Sequence, residues 1–446
     1  MRSGDPPALL VDLYELSMAQ GYFDEGLFGR ATFELSIRSL PPERNYLVAA
    51  GLDDALAWLE GMRSKADDLD YLRTLERFTD GFLQYLGSLR FDGEAHAIPE
   101  GDIVFAGEPL LRVTGPLPAA QLAETYLINQ VHFQTMAASK AARVVQSARG
   151  RPVIDFGLRR AHGTDAGLKA SRSQYLAGAV ATSNVLAGRT FGIPVAGTMA
   201  HSYVSAHTTE LEAFRAFTRS YPDTVLLIDT YDPREGARNV VRLARELGDD
   251  FAVAGVRIDS ADLAPNVEAV RELLDDGELR AVQIFVSGGL DEHAIERLLD
   301  AGIRCDGFGV GTKMGTSADA PSLDAIYKLV EYEGRGTVKM SDGMSTIPGP
   351  KQVFRRSQQG LYESDVLGRA DEELEGQRLL VPVMREGRRL AGDFADLEAA
   401  RERCRAALGQ LPERLYELKP ARPAYEVIIS PGLRAEAGRF RRNHCR

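Results

Sequence analysis

The amino-acid sequence predicts an α/β fold, an irregular (βα) TIM-like barrel joined to a second α/β domain. The first observation is a rhythm in which short β-branched runs alternate with helical patterns through the middle of the chain. The second is that each run ends in polar residues, where such a barrel places its active site. The 446 residues, 44% hydrophobic and 26% charged, suffice for two or three packed domains and exclude disordered and collagen-like classes.

Six barrel strands are predicted from these runs. They begin near Val153, Pro194, Val225, Val253, Val282 and Gly307. Helical patterns lie between them at 209–219, 234–247, 263–274 and 291–301, with apolar residues recurring every three or four positions, as on a helix face packed against a sheet. Thr209 and Asp291 are of the types that cap helix N-termini, so each is predicted to precede a helix.

The two flanks of the chain have a different pattern. Residues 1–115 mix helical patterns with alternating segments bounded by Pro-Glu-Gly-Asp and Ala-Gly-Glu-Pro turns, which predict small antiparallel strands. After about 335 the chain again reads as short strands and helices. We therefore expect 1–115 and 335–446 to build one α/β domain beside an active-site barrel formed by 116–334.

Charge, hydropathy and cysteine spacing exclude several classes of protein. With 53 basic and 64 acidic side chains the net charge is -11, which argues against broad binding to nucleic acid or anionic membranes. No apolar run approaches the roughly 18 residues of a membrane helix, and the first residues lack a signal-peptide pattern, so a cytoplasmic protein is expected. Cys305, Cys404 and Cys445 are too widely separated for a disulfide framework or a Cys-x-x-Cys zinc site.

Polar residues follow all six predicted strands. In chain order they are Arg159 and Arg160; Thr198, His201 and Ser202; Asp229 and Asp232; Arg257, Asp259 and Ser260; Ser287, Gly288 and Gly289; and Gly309, Gly311 and Thr312. Any one of these sets alone is more simply explained as a helix cap or a satisfied buried group. Because parallel strands end at the same edge, six sets in register predict a single active-site mouth.

Two glycine-rich turns, Ser287-Gly-Gly and Gly309-Val-Gly-Thr, follow the last two predicted strands. Glycine lets backbone N–H groups approach a phosphate without a Cβ in the way, and the N-terminus of a following helix adds a favourable dipole. Phosphate sites after the last strands recur in barrels. A single turn of this kind is a weak signal, but two in tandem predict a site for a sugar 5′-phosphate.

Cations and carboxylates are predicted at the same mouth. Arg159 and Arg257 carry planar, permanently charged groups suited to a carboxylate or phosphate, although a salt bridge to a neighbouring acid would also account for them. Asp229 and Asp259 could hold ribose hydroxyls or Mg²⁺, or could cap the helices that follow. For Asp232, directly before a proline, the cap is the preferred interpretation.

His201 is the histidine most clearly tied to this mouth, because it follows Gly197-Thr-Met-Ala at a predicted strand end. An imidazole there could be a general base, a metal ligand or a nucleophile that carries a phosphoryl group. Spacing alone does not distinguish these roles.

Several long motifs resemble those of the nicotinate phosphoribosyltransferase family. They are Asp12-Leu-Tyr-Glu-Leu-Ser-Met-Ala, Asp155-Phe-Gly-Leu-Arg-Arg-Ala-His-Gly, Thr182-Ser-Asn, Phe191-Gly-Ile-Pro-Val-Ala-Gly-Thr-Met-Ala-His-Ser, Leu227-Ile-Asp-Thr-Tyr-Asp, Val256-Arg-Ile-Asp-Ser-Ala-Asp-Leu and Gly307-Phe-Gly-Val-Gly-Thr. The resemblance runs in the same order from about residue 9 to about residue 360. It implies the type II phosphoribosyltransferase architecture, an irregular α/β barrel with an α/β domain built from both termini.

The resemblance also implies a reaction. Members of the family join nicotinate to phosphoribosyl pyrophosphate, give nicotinate mononucleotide and pyrophosphate for NAD synthesis by salvage, and couple the transfer to ATP hydrolysis through a phosphohistidine. It further implies Mg²⁺ as cofactor, ATP as co-substrate and a homodimer whose active sites lie between subunits.

Residue by residue, the resemblance implies that Phe156 stacks on the pyridine ring and that Tyr14 reaches the opposite face from the other subunit. It implies that Arg159 and Arg257 contact the diphosphate, the ribose or the nicotinate carboxylate, but it does not imply which arginine contacts which group. His201 matches the histidine that ATP phosphorylates.

The remaining implied contacts concern the sugar phosphate and the metal. Asp229 and Asp259 would face ribose and Mg²⁺. The glycines that would wrap the 5′-phosphate, and the further residues expected to touch substrate, are Gly288, Gly289, Gly309, Gly311, Thr312, Thr198, Ser202 and Ser287.

Other functions stay open on the sequence. Nicotinamide-using relatives place an acid where Met199 stands, so nicotinate is the preferred base, whereas quinolinate would need cations for two carboxylates and would leave the histidine unexplained. More distant alternatives are a barrel aldolase that uses Lys169 or Lys313 as a Schiff base, and a non-catalytic homologue that binds a mononucleotide.

Overall fold

A computed structural model describes residues 7–260, 262–337, 339 and 347–444, so that Cys445 lies outside it. The chain divides into two compact units, the first made of Met1–Ser139 with Ser322–Arg446 and the second of Lys140–Pro321. The sequence patterns predicted the corresponding boundaries near 115 and 334. They fall elsewhere because the helix Glu124–Ser147 spans the first boundary, and because Ala325–Tyr332 pairs with Arg30–Ile37 and so belongs to the first unit.

The described strands and helices are as follows in chain order. The strands are β1 (Arg30–Ile37), β2 (Leu47–Val48), β3 (Glu94–Ala97), β4 (Ile103–Val104), β5 (Pro109–Pro116), β6 (Val153–Asp155), β7 (Ala181–Thr182), β8 (Val225–Leu227), β9 (Gly255–Ile258), β10 (Gln283–Val286), β11 (Gly307–Val310), β12 (Ala325–Tyr332), β13 (Arg335–Gly336), β14 (Lys351–Gln358), β15 (Leu361–Arg369), β16 (Gln377–Arg378), β17 (Val381–Arg385), β18 (Arg388–Arg389) and β19 (Glu426–Ile429). The helices are α1 (Leu13–Asp24), α2 (Leu52–Glu60), α3 (Ala66–Thr74), α4 (Asp80–Ser88), α5 (Leu117–Leu122), α6 (Glu124–Ser147), α7 (Thr164–Leu176), α8 (Val185–Phe191), α9 (His201–Ser205), α10 (Glu210–Ser220), α11 (Pro233–Leu247), α12 (Leu263–Asp276), α13 (Glu292–Asp300), α14 (Thr312–Gly315), α15 (Leu397–Leu408) and α16 (Pro431–His444), with short 3₁₀ turns at Leu158–Arg160, Gly248–Asp250 and Glu413–Leu415.

The first unit contains strands from both ends of the chain in one sheet. Within the described ranges its order is β13-β12-β1-β5-β3-β17-β18, with β1 antiparallel to both β5 and β12. β3 pairs antiparallel with β5 across the turns that the sequence indicated. Further strands form a sheet in the order β16-β14-β15-β19 and the pair β2-β4. Helices cover this unit's core, into which α2 places Leu56, Trp58 and Leu59.

The second unit is built on a parallel sheet. Its described strands run in the order β7-β6-β11-β10-β9-β8, and every neighbouring pair is parallel. β7 and β8 therefore form the two edges of a curled half-barrel, which confirms the predicted α/β class with an irregular barrel. All the carboxyl ends of the strands lie on one side of such a sheet.

One predicted barrel strand is wrong. The segment beginning at Pro194 makes a single bridge, in which Val195 pairs in parallel with Thr182, and forms no longer strand among the described residues. Proline lacks the N–H needed to extend a ladder, so pairing is confined to the bonds around Thr182. The two-residue strand β7 that Thr182 ends was too short to give a periodic signal.

The predicted helix caps are present in the second unit. Thr209, Asp232 and Asp291 each accept a hydrogen bond from the backbone N–H three residues later, at 3.2, 2.9 and 2.8 Å. Asp232 is therefore a cap, as preferred from the sequence. None of the helices that the structure describes is both long and apolar enough to cross a membrane.

Candidate active site

A cavity of about 530 Å³ opens in the second unit among the segments that follow its parallel strands. The lining residues are Phe156, Leu158, Arg159, Arg160, Ser183, Gly197, Thr198, Met199, Ala200, His201, Arg257, Asp259, Ser287, Gly288, Gly289, Gly309, Gly311 and Thr312. They come from the ends of β6, β7, β9, β10 and β11 and from the segment before α9. Most of the residues predicted from strand ends are therefore brought to one place.

Three predicted site residues lie outside this lining. Asp229 is beside it, since its Oδ2 accepts a 2.6 Å hydrogen bond from the backbone N–H of Asp259. Ser202 is an exposed residue of α9. Tyr14 belongs to the first unit, where its side chain is 49% exposed.

Phe156 directly follows β6 and presents its ring to the cavity. Its backbone N–H donates to the carbonyl oxygen of Val310 at 2.9 Å, which ties the end of β6 to the end of β11. A Cβ at Gly309 would lie 2.5 Å from the ring, and one at Gly311 would lie 3.2 Å from the carbonyl oxygen of Phe156. Glycine at both positions therefore leaves room for this aromatic residue.

The turn after β10 also requires glycine. Gly288 and Gly289 have φ angles of 109° and 67°, in the region that side chains disfavour. A Cβ at Gly288 would lie 3.2 Å from the Oδ1 of Asp259. The backbone of this loop therefore lies close to a cavity carboxylate, and the Oγ of Ser287 is buried without a hydrogen-bond partner in the described chain.

Asp155 holds the segment that carries Phe156. Its carboxylate accepts hydrogen bonds from the Gly157 backbone N–H at 2.7 Å and from the hydroxyls of Ser171 and Thr182 at 3.0 and 2.7 Å. Burial raises the pKa of Asp155, while these donors act to lower it. This role of Asp155 was not predicted, although an acid at the end of a predicted strand was the available signal.

Arg257 lies next to the aromatic ring and to the loop before α9. Its Cζ is 5.7 Å from the centre of the Phe156 ring, within cation–π range, and its Nη2 donates to the Met199 carbonyl oxygen at 3.2 Å. The buried Nε has no partner among the described residues. Burial lowers the pKa of Arg257, although a guanidinium keeps its charge at neutral pH. The side chain thus retains donor capacity for an anion.

Asp229 and Asp259 bring two carboxylates to one edge of the cavity. Asp259 lines it, while the Oδ1 of Asp229 is buried and lacks a partner within the described ranges. Burial raises the pKa of Asp229, an effect that the N–H donor from Asp259 partly offsets. An additional cation near this pair would favour the charged form.

His201 begins α9 and faces the cavity as an exposed side chain. Its Nδ1 lies 3.1 Å from the hydroxyl of Thr230, a residue that sequence reasoning did not single out as a site residue. No hydrogen bond to its Nε2 occurs among the described residues. Because one ring nitrogen is occupied, the geometry leaves the other for chemistry.

Further lining residues were not predicted. Ser183 follows the two-residue strand β7, and Leu158 lies in the 3₁₀ turn beside Arg159. Neither Lys169 nor Lys313 is part of the described lining, so the aldolase alternative gains no support.

Comparisons with known proteins identify one family. The model of the nicotinate phosphoribosyltransferase N-terminal domain matches residues 9–132, and the model of the nicotinate phosphoribosyltransferase family matches residues 152–345. Together the two matches cover well over half of the chain.

Individual relatives extend the match to nearly the full length. A nicotinate phosphoribosyltransferase of Mycobacterium tuberculosis is 49% identical over 434 residues, 97% of this chain and 94% of that protein. One from Bacillus subtilis is 41% identical and covers 84% of this chain and 79% of its own length. The crystal structure of human nicotinic acid phosphoribosyltransferase superposes with a TM-score of 0.86 at 28% identity, over 97% of this chain and 100% of that one. With these matches in sequence and in fold, the chain belongs to the nicotinate phosphoribosyltransferase family and is an enzyme of that family.

Proposed function

We propose that this chain is a cytoplasmic enzyme that joins nicotinate to phosphoribosyl pyrophosphate, giving nicotinate mononucleotide and pyrophosphate in the salvage of NAD. The observation that carries the proposal is the composition of one cavity, where an aromatic ring, a half-buried guanidinium, a carboxylate and two glycine loops lie together. Each of these parts suits one portion of the two substrates. The names of the relatives support the choice of substrates.

The base is assigned to Phe156 and Arg257. A pyridine ring stacked on Phe156 would place its carboxylate within reach of the guanidinium 5.7 Å from the ring centre, whose Nε is still available as a donor. Arg159 lines the same space and is a second cation for the carboxylate or the diphosphate. Met199 brings no negative charge, which favours nicotinate over nicotinamide.

The 5′-phosphate is assigned to the two glycine loops. Gly288, Gly289 and Gly311 line the cavity, where backbone N–H groups without a neighbouring Cβ could bind the phosphate, and Thr312 adds a hydroxyl at the start of α14. The unpartnered Oγ of Ser287 is a further group that a ligand oxygen would satisfy.

The transfer needs positioning more than acid–base catalysis. The pyridine nitrogen forms a bond to the anomeric carbon while the bond from that carbon to the diphosphate oxygen breaks, and its electron pair leaves with pyrophosphate. The attacking nitrogen carries no proton, so no general base is required. Phe156 and Arg257 orient the nucleophile, and Arg159 supplies positive charge for the leaving group.

Mg²⁺ fits the pair of aspartates. Asp259 and Asp229 would hold it, and the buried Oδ1 of Asp229 is an oxygen without a partner among the described residues. No group of three or more His, Cys, Asp or Glu residues suited to a metal occurs in the part of the chain that the structure describes. Mg²⁺ typically takes one or two carboxylates and completes its shell with water and phosphate oxygens, and when bound it would screen the charge of the diphosphate.

ATP coupling is assigned to His201. Thr230 occupies its Nδ1, which leaves Nε2 to attack the terminal phosphorus of ATP. That P–N bond forms as the bond to the ADP oxygen breaks, and hydrolysis of the phosphohistidine later returns the free imidazole and phosphate. The added negative charge at the cavity rim would bias the enzyme toward productive binding states.

A homodimer with shared active sites completes the proposal. Tyr14 is half-exposed and has exposed apolar neighbours, Leu10 and Leu13, at 45% each, a composition suited to a subunit interface. In the dimer, the partner subunit's Tyr14 would cover the face of nicotinate opposite Phe156.

Pyrophosphate release is the test of this function. The enzyme is supplied with phosphoribosyl pyrophosphate and Mg²⁺ together with nicotinate, nicotinamide or quinolinate, each with and without ATP. Release that depends on nicotinate and rises with ATP supports the proposal. Equal release with nicotinamide would refute the specificity argument from Met199, and no release with any base would favour a non-catalytic binding protein.

A further inference from the structure

The two glycine loops of the cavity are joined by an ion pair at their far ends. The first glycine loop is 287–291, between β10 and α13, and the second is 309–313, which runs from the end of β11 into α14. Asp291, at the end of the first, accepts a 2.7 Å hydrogen bond from the Nζ of Lys313, at the end of the second. The other carboxylate oxygen of Asp291 caps α13. One side chain therefore fixes a helix start and links both loops.

A second set of ion pairs lies beneath the first in the buried interior. Glu292, the first residue of α13, is fully buried, and its two oxygens accept from Lys140 Nζ at 2.6 Å and from Arg143 Nε at 3.0 Å. Lys140 is also 2.8 Å from the Oδ1 of Asp319, which follows α14. Lys140 thus joins the start of α13 to the segment that follows the second loop.

Burying these ion pairs costs free energy, so stability alone does not explain why they are present. Removing charges from water carries a large desolvation penalty, and apolar packing of similar volume often stabilises a fold equally well or better. Buried ion pairs have directional contacts, however, which apolar packing lacks. The glycines of the two loops offer no side chains as anchors, and Gly288, Gly289 and Gly311 lie outside the paired strands, so their spacing must be set by the residues around them.

We propose that Asp291, Lys313, Lys140, Glu292 and Asp319 form a clamp that holds the two glycine loops at the spacing required by a substrate phosphate. The clamp residues are positioning residues, since none of them lines the described cavity. That this phosphate belongs to phosphoribosyl pyrophosphate rests on the proposed function above. The clamp itself requires only that the ligand is a phosphate ester.

The clamp should affect the two substrates unequally. Its residues anchor loops 287–291 and 309–313 at their far ends, whereas nicotinate is assigned to Phe156 and Arg257. Gly309, beside the Phe156 ring, is held separately by the pairing of β11 with β6. Loosening the clamp should therefore raise the KM for phosphoribosyl pyrophosphate by about tenfold, in line with the effect of misplacing binding groups by a fraction of an ångström. The KM for nicotinate should change by less than about twofold. If the clamp residues contributed only to stability, substituting them would lower the thermal midpoint without raising the KM for phosphoribosyl pyrophosphate more than the KM for nicotinate.

Lys313→Met and Asp291→Asn test the rim of the clamp. Lys313 is 44% exposed at its side chain, and asparagine keeps an oxygen to cap α13, so both variants should fold. Lys313→Arg keeps the charge and should restore most of the affinity. Asp319→Asn tests the buried part in the same way.

Arg149→Met is the matched control, because it breaks a 2.5 Å ion pair with Asp300 at the opposite end of α13.

The measurements are KM for each substrate, kcat, the thermal midpoint, and calorimetric titration with ribose 5-phosphate. The proposal expects weaker ribose 5-phosphate binding in Lys313→Met, Asp291→Asn and Asp319→Asn only, with a nearly unchanged thermal midpoint in the first two. Asp319→Asn removes one partner of the buried Lys140 and is expected to lower the thermal midpoint as well. Unchanged phosphate affinity in Lys313→Met and Asp291→Asn, or an equal loss in Arg149→Met, would overturn it. If the wild type binds ribose 5-phosphate and the variants lose it while no nicotinate turns over, the clamp stands and the proposed function fails.

Discussion

Gly309 lies so close to the ring of Phe156 that a single added methyl group would stand 2.5 Å from a ring carbon. No positive φ is involved at Gly309, so the constraint is space alone. The position of the ring in the cavity is therefore set from the neighbouring strand β11. Two residues far apart in sequence thus act together in the proposed nicotinate site.

Gly309→Ala should weaken nicotinate binding. Overpacking of this kind costs about 1–3 kcal/mol, so displacing the ring should raise the Kd for nicotinate by about tenfold, measured by calorimetric titration. Gly409→Ala is the control, because its Cβ would meet only ordinary contacts at 3.4 Å or more and its φ is -60°. Identical nicotinate affinity in Gly309→Ala and wild type would show that the ring position does not matter.

His201→Ala should abolish ATP-linked stimulation of pyrophosphate release and leave some slow transfer. The variant removes the nitrogen that would carry the phosphoryl group, so γ-labelled ATP should label the wild type and not the variant. His207→Ala is a matched control, since His207 lies outside the lining and bonds to the Tyr203 carbonyl oxygen at 2.9 Å. Stimulation by ATP that persists in His201→Ala would contradict the assignment.

The clustering of the site was predictable because it follows from topology. Parallel strands end on one side of their sheet, so residues after successive strands had to converge, and Arg257, Asp259 and the glycine loops did so. The caps at Thr209 and Asp291 followed from local chemistry that needs no tertiary information.

Other features depended on contacts between distant segments. The pairing of Thr230 with His201 and of Asp229 with the Asp259 backbone cannot be inferred from either segment alone. β7 has two residues, too few to show the alternating pattern of a strand. Ser183, which follows β7, was therefore not predicted as a site residue. The Pro194 segment had the composition of a strand but makes one bridge within the described part of the chain, because its proline cannot donate to a ladder.

Glu210 should make the stability of the protein depend on pH. Burial raises its pKa to about 7, its Oε1 has no partner in the described chain, and its Oε2 accepts from Asn239 at 3.0 Å. The unfolded chain ionises Glu near its ordinary value of about 4.3. The stabilising contribution is therefore complete below that pH and is lost as the pH rises through about 7.

Glu210→Gln isolates this effect, because glutamine keeps an acceptor for Asn239 and removes the titration. The thermal midpoint of the variant should match wild type near pH 4.5 and exceed it by about 2–4 °C at pH 8. Glu212→Gln removes an exposed charge from the same helical turn and should show no growing difference. A constant offset between Glu210→Gln and wild type across this range would argue against a titrating Glu210.

Subunit complementation tests whether active sites are shared. Tyr14→Ala and Arg257→Ala should each be nearly inactive alone, but a heterodimer of the two would contain one site with Arg257 from one subunit and Tyr14 from the other. Co-expression with two different tags, followed by isolation of doubly tagged dimers, should then recover about half of the wild-type activity per dimer. If both residues act within a single chain, the heterodimer contains no intact site and activity should stay at the level of the parent variants.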